Sequence, residues 1–114
     1  MNGGSQFQPI ISALESHGRY WSIQPLSDGS ERLVCVSARS EYGYLHGNSF
    51  WVARRKGTWW LVCWTNAAYC VPDEVDLGQL CIKALELASD PLYALPSNLI
   101  DQFKLTRDDD GFGT

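Results

Sequence analysis

No stretch of this sequence stays apolar for the ~20 residues that a membrane helix needs. The opening Met-Asn-Gly-Gly-Ser-Gln lacks the basic segment and apolar run of a secretory signal. No Asn-x-Ser/Thr glycosylation site occurs. Cys35, Cys63, Cys70 and Cys81 are present, but no two form a CxxC pair, which removes the usual zinc and thioredoxin-like signatures. Together these absences point to the reducing cytoplasm and to free, buried thiols. Basic charge is scarce as well. Nine Lys and Arg stand against thirteen Asp and Glu, a formal net charge of −4. A phosphate-binding surface usually shows a basic excess, so nucleic acid is disfavoured as a partner. No P-loop, GxGxxG, GxSxG or HExxH is found, so no nucleotide, hydrolase or metalloprotease motif is present and no cofactor is implied. No internal repeat or low-complexity tract divides the chain.

What remains is the composition of an ordinary globular domain, with one bias. The 114 residues fit a single domain, and a chain of this size buries somewhat over ~60 % of its unfolded surface. Hydrophobic residues make up 45 % and charged residues 19 %, which argues against disorder. The bias is aromatic. There are five Trp, five Tyr and four Phe, and Trp51, Trp59, Trp60 and Trp64 crowd into one short segment. Asp108, Asp109 and Asp110 give the C-terminus its charge. Residues 1–106 therefore read as the folded domain and residues 107–114 as an acidic, flexible, solvated tail.

Periodicity assigns the elements. Ile10, Leu14 and His17 are spaced as one helical face, with Pro9 in the first turn and Gly18 as a stop. Arg19–Gln24 alternates as a strand that Pro25 ends. Ser27-Asp28-Gly29-Ser30 is a turn, and Glu31–Ala38 a strand apolar on both faces. Glu41–His46 reads as a short strand, followed by a turn at His46-Gly47-Asn48. Ser49–Arg55 and Thr58–Thr65 form the clearest feature, a β-hairpin around Lys56-Gly57. Ala67–Val71 adds a last strand before Pro72. Leu77, Leu80, Cys81, Ala84, Leu85 and Ala88 then make a helical stripe, with Asp76 and Gln79 at capping-box spacing and Asp73 as a rival cap. Ser89-Asp90-Pro91 stops it, and Ser97–Lys104 makes a short final helix. With no helix between consecutive strands, the fold predicted is α+β: an antiparallel meander of five to six strands, with an N-terminal helix and two C-terminal helices on one face.

The hairpin raises the functional question. Trp60, Val62 and Trp64 fall on one face of their strand, and Trp59, Leu61 and Cys63 on the other. A two-residue loop puts Trp51 with Trp60 and Trp64, whereas a bulged loop puts it with Trp59. In either register both faces are apolar, while one helical layer covers a single face. Each aromatic ring left in water forgoes burial of ~150–250 Å², so two or three together form a patch large for a monomer. The sheet can curl over it, a second copy can pack there as a homodimer, or a protein partner can bind. Tyr42, Tyr44 and Tyr69 are candidates to line such a groove beside Trp51, Trp60 and Trp64. The leading expectation is a non-catalytic module that associates through this face.

The alternative is a small enzyme or ligand-binding protein with a pocket on the concave face near His46, the sole candidate general base. Other groups with chemical potential have structural readings. His17 suits a helix C-terminus, and Asp73, Glu74 and Asp76 a helix N-terminus. Cys35, Cys63 and Cys81 fall on apolar faces and read as packing. Asp108-Asp109-Asp110-Gly111 lacks the spacing and terminal Glu of a calcium loop, so no metal site is expected. Arg54, Arg55 and Lys56 crowd the hairpin tip, where Arg54 or Arg55 is expected over a Trp ring as a cation–π contact and the charges blunt an edge.

Overall fold

The computed structural model describes residues 6–39, 42, 45–87 and 93–113. Its elements follow one another as α1 (Gln8–Ser16), β1 (Tyr20–Pro25), β2 (Glu31–Arg39), β3 (Leu45–Arg55), β4 (Thr58–Val62), β5 (Ala68–Val71), α2 (Leu77–Leu85), α3 (Ser97–Gln102), β6 (Thr106–Arg107) and α4 (Asp109–Gly113). Each strand pairs antiparallel with the next, giving a six-stranded sheet in the order β1-β2-β3-β4-β5-β6. This is the α+β meander that the alternation of apolar residues predicts.

The tight turn between β3 and β4 sets the register of the aromatic hairpin. Arg55 pairs with Thr58, which leaves only Lys56 and Gly57 in the loop. Both have positive φ, 53° and 79°. That is the pattern of the hairpin turn whose twist matches its strands, and glycine adopts it without a Cβ penalty. Ala53 then faces Trp60, and Trp51 faces Val62. The two-residue alternative is the one realised, so Trp51 and Trp60 share a face.

Side chains on the first face meet three helices. Phe7, Ile10, Ile11 and Leu14 from the first helix and its cap, Leu80, Cys81 and Leu85 from α2, and Leu99 from α3 close over Leu33, Phe50, Val52, Leu61 and Tyr69. At the start of α2, Asp76 caps by accepting the Gln79 backbone N–H at 3.1 Å; Asp73 does not. The second face holds a smaller cluster of Val34, Val36, Trp51, Ala53, Trp60, Val62 and Ala68.

Three expectations are corrected. The turn at His46-Gly47-Asn48 is a bulge inside β3: Val36 pairs with Ser49 but Ala38 with His46. Gly47 and Asn48 together oppose Ser37, so the extra residue is absorbed without reversing the chain. The second hairpin strand stops at Val62, not Thr65. Asn66 takes a φ of 70° and its N–H reaches the Cys63 carbonyl at 2.9 Å, so Trp64 lies in a tight loop before β5. Residues 107–113 do not form a solvated tail. They supply half of β6 and all of α4, and Phe112 packs on the second cluster. The three expected helices, α1, α2 and α3, do share the first face; α4 is an additional helix on the second face, where Phe112 packs partly buried. The Ser89-Asp90-Pro91 stop and half of the Glu41–His46 strand lie outside the described residues; Tyr42 is in a turn, and Leu45 and His46 belong to β3.

Leu61 is fully buried between the hairpin and the helices. Leu61→Ala should lower the unfolding free energy by about 2–5 kcal/mol, as deleted core methyls do. Glu86→Ala, on the exposed end of α2, should stay within about 0.5 kcal/mol. Urea denaturation followed by tryptophan fluorescence checks both.

Candidate functional site

Sheet pairing brings the second-face residues together from distant parts of the chain. Trp51 stands beside Val34 on one side and Val62 on the other, and Trp60 beside Ala53 and Cys70. Phe112 of α4 meets both indoles edge-on, with ring centroids 5.1 Å from Trp51 and 5.9 Å from Trp60. Under this cover Trp51 is 7 % exposed and Trp60 is 8 % exposed. The twin subunit invoked to shelter these two rings is therefore not needed for them.

Arg55 holds the Phe112 end of the strap. Its guanidinium lies 4.1 Å from the Phe112 ring centroid and donates to the Phe112 carbonyl, and it pairs with Asp28 at 3.0 Å. At the other end the Ala68 peptide unit makes two bonds. Its carbonyl accepts the Asp108 N–H at 2.8 Å, and its N–H donates to the Asp109 carboxylate at 3.0 Å. Arg107 grips the same carboxylate through two nitrogens, each at 3.1 Å. These bonds hold the Asp109 carboxyl below its ordinary value of 3.8, the Arg107 side chain being the larger cause and the Ala68 N–H the next. Between strap and sheet lies a cavity of about 310 Å³, lined by Trp51, Val62, Asn66, Ala68, Asp109 and Phe112.

Gly111 is required where the strap crosses the indole. A methyl group added there would lie 2.9 Å from the Trp60 ring and would collide with the Asp108 carboxylate. A larger residue at 111 forces the Asp108 carboxylate and the Trp60 ring or the strap to shift.

Beside the cavity stands an exposed, fixed ring. Trp64 is 41 % exposed. Its indole N–H donates to the Ser49 hydroxyl at 2.8 Å. The Arg32 guanidinium lies 5.6 Å from the Trp64 ring centroid and 4.9 Å from that of Trp51. Gln24 fixes Arg32 in turn, accepting from its Nε at 3.2 Å and from its terminal nitrogen at 2.8 Å. Among the described residues Arg32 forms no ion pair. Thr65 then bonds the Tyr93 carbonyl, which links the Trp64 loop to a second exposed aromatic residue.

The remaining candidates distribute unevenly. Tyr69 is not a groove residue. It is fully buried on the helical side, and its hydroxyl accepts the Leu95 N–H at 3.1 Å. Tyr42 is 80 % exposed in a turn, and Tyr44 lies outside the described residues. His46 is placed by its backbone on β3 opposite Ala38. His17 fulfils its structural reading, with Nδ1 at 3.0 Å from the Ala13 carbonyl. Arg54 lies over Trp59 at 5.9 Å, but Arg55 is over Phe112 rather than a tryptophan.

Phe112, Arg32 and Tyr93 were not among the candidates. Phe112 had a signal: a phenylalanine flanked by Gly111 and Gly113 has no purpose in a solvated acidic tail. Arg32 had none, because nothing in its neighbourhood shows that β3 brings Trp51 alongside.

Cys35 and Cys63 are poor nucleophiles. Burial, and then the neighbouring Cys81, push Cys35 well above the ordinary thiol value of 9.0. Burial pushes Cys63 up to about 12. Among the described residues no group of three or more His, Cys, Asp or Glu side chains could hold a metal ion, and no helix is long and apolar enough to cross a membrane. No family model, curated protein or solved structure matches the chain.

Two outcomes follow from these environments. In the native protein Cys70, half-buried on the second face, should be alkylated by iodoacetamide first, and Cys35, Cys63 and Cys81 only after denaturation. Peptide mapping of the alkylated sites reads this directly. The second concerns acid. A carboxyl whose value is lowered by folding stabilises the folded form above its unfolded value and loses that contribution as pH falls through the folded one. Strap docking should therefore persist through neutral pH and loosen below the ordinary value of 3.8, as Asp109 takes up its proton. Tryptophan emission should shift to the red over that range, and Asp109→Asn should remove most of the shift.

Proposed function

We propose that this protein is a non-catalytic interaction module that binds a protein partner through the second face of its sheet. The observation that supports this reading is Trp64, a large apolar ring left in water yet held by a hydrogen bond to Ser49 and by the Arg32 guanidinium. Exposed tryptophans that move freely are poor anchors, because binding must also order them. Trp64 has already lost that freedom. Trp51 belongs both to this rim and to the adjoining cavity, so a partner side chain on Trp64 has an apolar recess beside it. Tryptophan and arginine are the residues most often found to dominate protein interfaces.

A protein partner fits this face better than a second copy of the chain. Burial of Trp51 and Trp60 by the protein's own Phe112 removes the largest apolar area that a twin subunit would have covered. The exposed Trp64 ring carries the Arg32 guanidinium beside it, which suits a peptide segment with an acidic or aromatic residue.

Selection of displayed peptides against the full chain tests the reading. Selected peptides should lose binding to Trp64→Ala by about thirtyfold, the equivalent of ~2 kcal/mol at an aromatic anchor. Arg32→Ala should lose less. The chain should sediment as a monomer throughout. Peptides that bind parent and Trp64→Ala equally would refute the surface, and a parent dimer that Trp64→Ala dissociates would show self-association instead.

A further inference from the structure

The strap that covers Trp51 and Trp60 is itself bound as a peptide ligand would be. It adds a two-residue strand to the edge of β5, where Cys70 pairs with Thr106 and Tyr69 with Arg107. The next residues engage the Ala68 peptide unit through the Asp108 N–H and the Asp109 carboxylate. One aromatic ring three residues further on enters between two indoles, and Arg55 takes the carbonyl of that same residue. Strand addition, one acidic contact and one aromatic anchor are the recognition mode of an edge that accepts extended peptides.

The hold on the strap is light. Its ladder has two residues, and the pair formed by Arg107 and Asp109 is solvent-exposed on both sides. Such pairs contribute little. Phe112 does not fill the space beneath it, since the cavity of about 310 Å³ remains beside it. The first face also carries a recess, of about 320 Å³ beside Trp59 and Arg54, but among the described residues no strand-adding segment lies over it, and its core is closed by α1, α2 and α3.

We infer that residues 106–113 are the resident occupant of a peptide-docking groove formed by β5, Trp51, Trp60 and Arg55, and that a partner segment bearing an acidic residue and, three positions later, an aromatic one displaces them. The inference rests on the proposed role of the second face and names what that face takes. The chemistry of the occupant is read from the groove's present contents: the Ala68 N–H for a carboxylate, the two indoles for an aromatic ring, the Arg55 guanidinium for a carbonyl. The strap thereby acts as a competitor, lowering the fraction of molecules whose groove is open.

A labelled synthetic peptide with the sequence of residues 106–114 serves as the probe, followed by fluorescence anisotropy with the full chain. Apparent affinity falls in proportion to the open fraction, so opening the groove must raise it. Gly111→Ala crowds the strap's docking on Trp60 with a methyl that meets the ring and the Asp108 carboxylate, and Phe112→Ala removes its anchor. Both variants should bind the probe at least about tenfold more tightly than the parent. A probe with alanine in place of its phenylalanine should bind none of them. If either variant loses its near-ultraviolet circular dichroism, Asp109→Ala, which releases only the Ala68 N–H and Arg107, makes the same comparison.

Folded variants that bind the probe no more tightly than the parent would overturn the inference. So would a parent dimer that the probe converts to monomer, since the occupant would then be a second copy. The probe does not require Trp64, so Trp64→Ala should bind it as the parent does. Loss of selected peptides at Trp64 with no effect at Gly111 or Phe112 would therefore sink this inference and leave the proposed surface standing.

Discussion

The structure is organised by a hairpin that is apolar on both faces. Leu61 and Phe50 point one way while Trp51 and Trp60 point the other, because successive side chains on a strand must alternate. Neither set can be left in water at ~25 cal/mol per Å² of apolar surface. The chain therefore needs two covers, and it has two of very different size. Three helices with a continuous apolar core close one face. A short strand, one turn of helix and a single phenylalanine close part of the other.

That asymmetry is what makes the second face the functional candidate. The thick cover is held by many buried side chains and cannot open without global unfolding. The thin cover is held by one ring, one backbone unit and exposed charges. A small domain that must both stay folded and expose an aromatic surface gains from separating the two tasks onto opposite faces. The Arg32–Trp64 rim belongs to the same face and remains partly in water, so part of the surface is presented whether or not the strap is docked.

The charged groups around this face act by placement more than by strength. Arg55 joins three parts of the chain: its own hairpin tip, Asp28 of the first turn and Phe112 of the strap. Arg32 lies over two indoles and is oriented by Gln24 of the adjoining strand. Cation–π contacts of this kind contribute about 0.5–1 kcal/mol at exposed sites. Their greater effect is to fix rings in position. Three of the cysteines, Cys35, Cys63 and Cys81, are buried in the core of the first face.

Much of this was legible in the residues. Alternation in Glu31–Ala38 and around Lys56-Gly57, and the stripe from Leu77 to Leu85, determined the strands, the hairpin and the helical cover, because these patterns are local and each has one geometric meaning. The pair of registers for Trp51 narrowed the second face to a few arrangements. What tertiary structure decided was everything set by contacts distant in sequence. The Asn66 turn took Trp64 out of its strand, and Tyr69 fell on the helical side of the sheet. Arg32 found Trp51 and Trp64 across the sheet. Residues 107–113, acidic enough to pass for a solvated tail, were recruited because Phe112 packs against two indoles while the three aspartates stay exposed and Asp109 takes the Ala68 N–H.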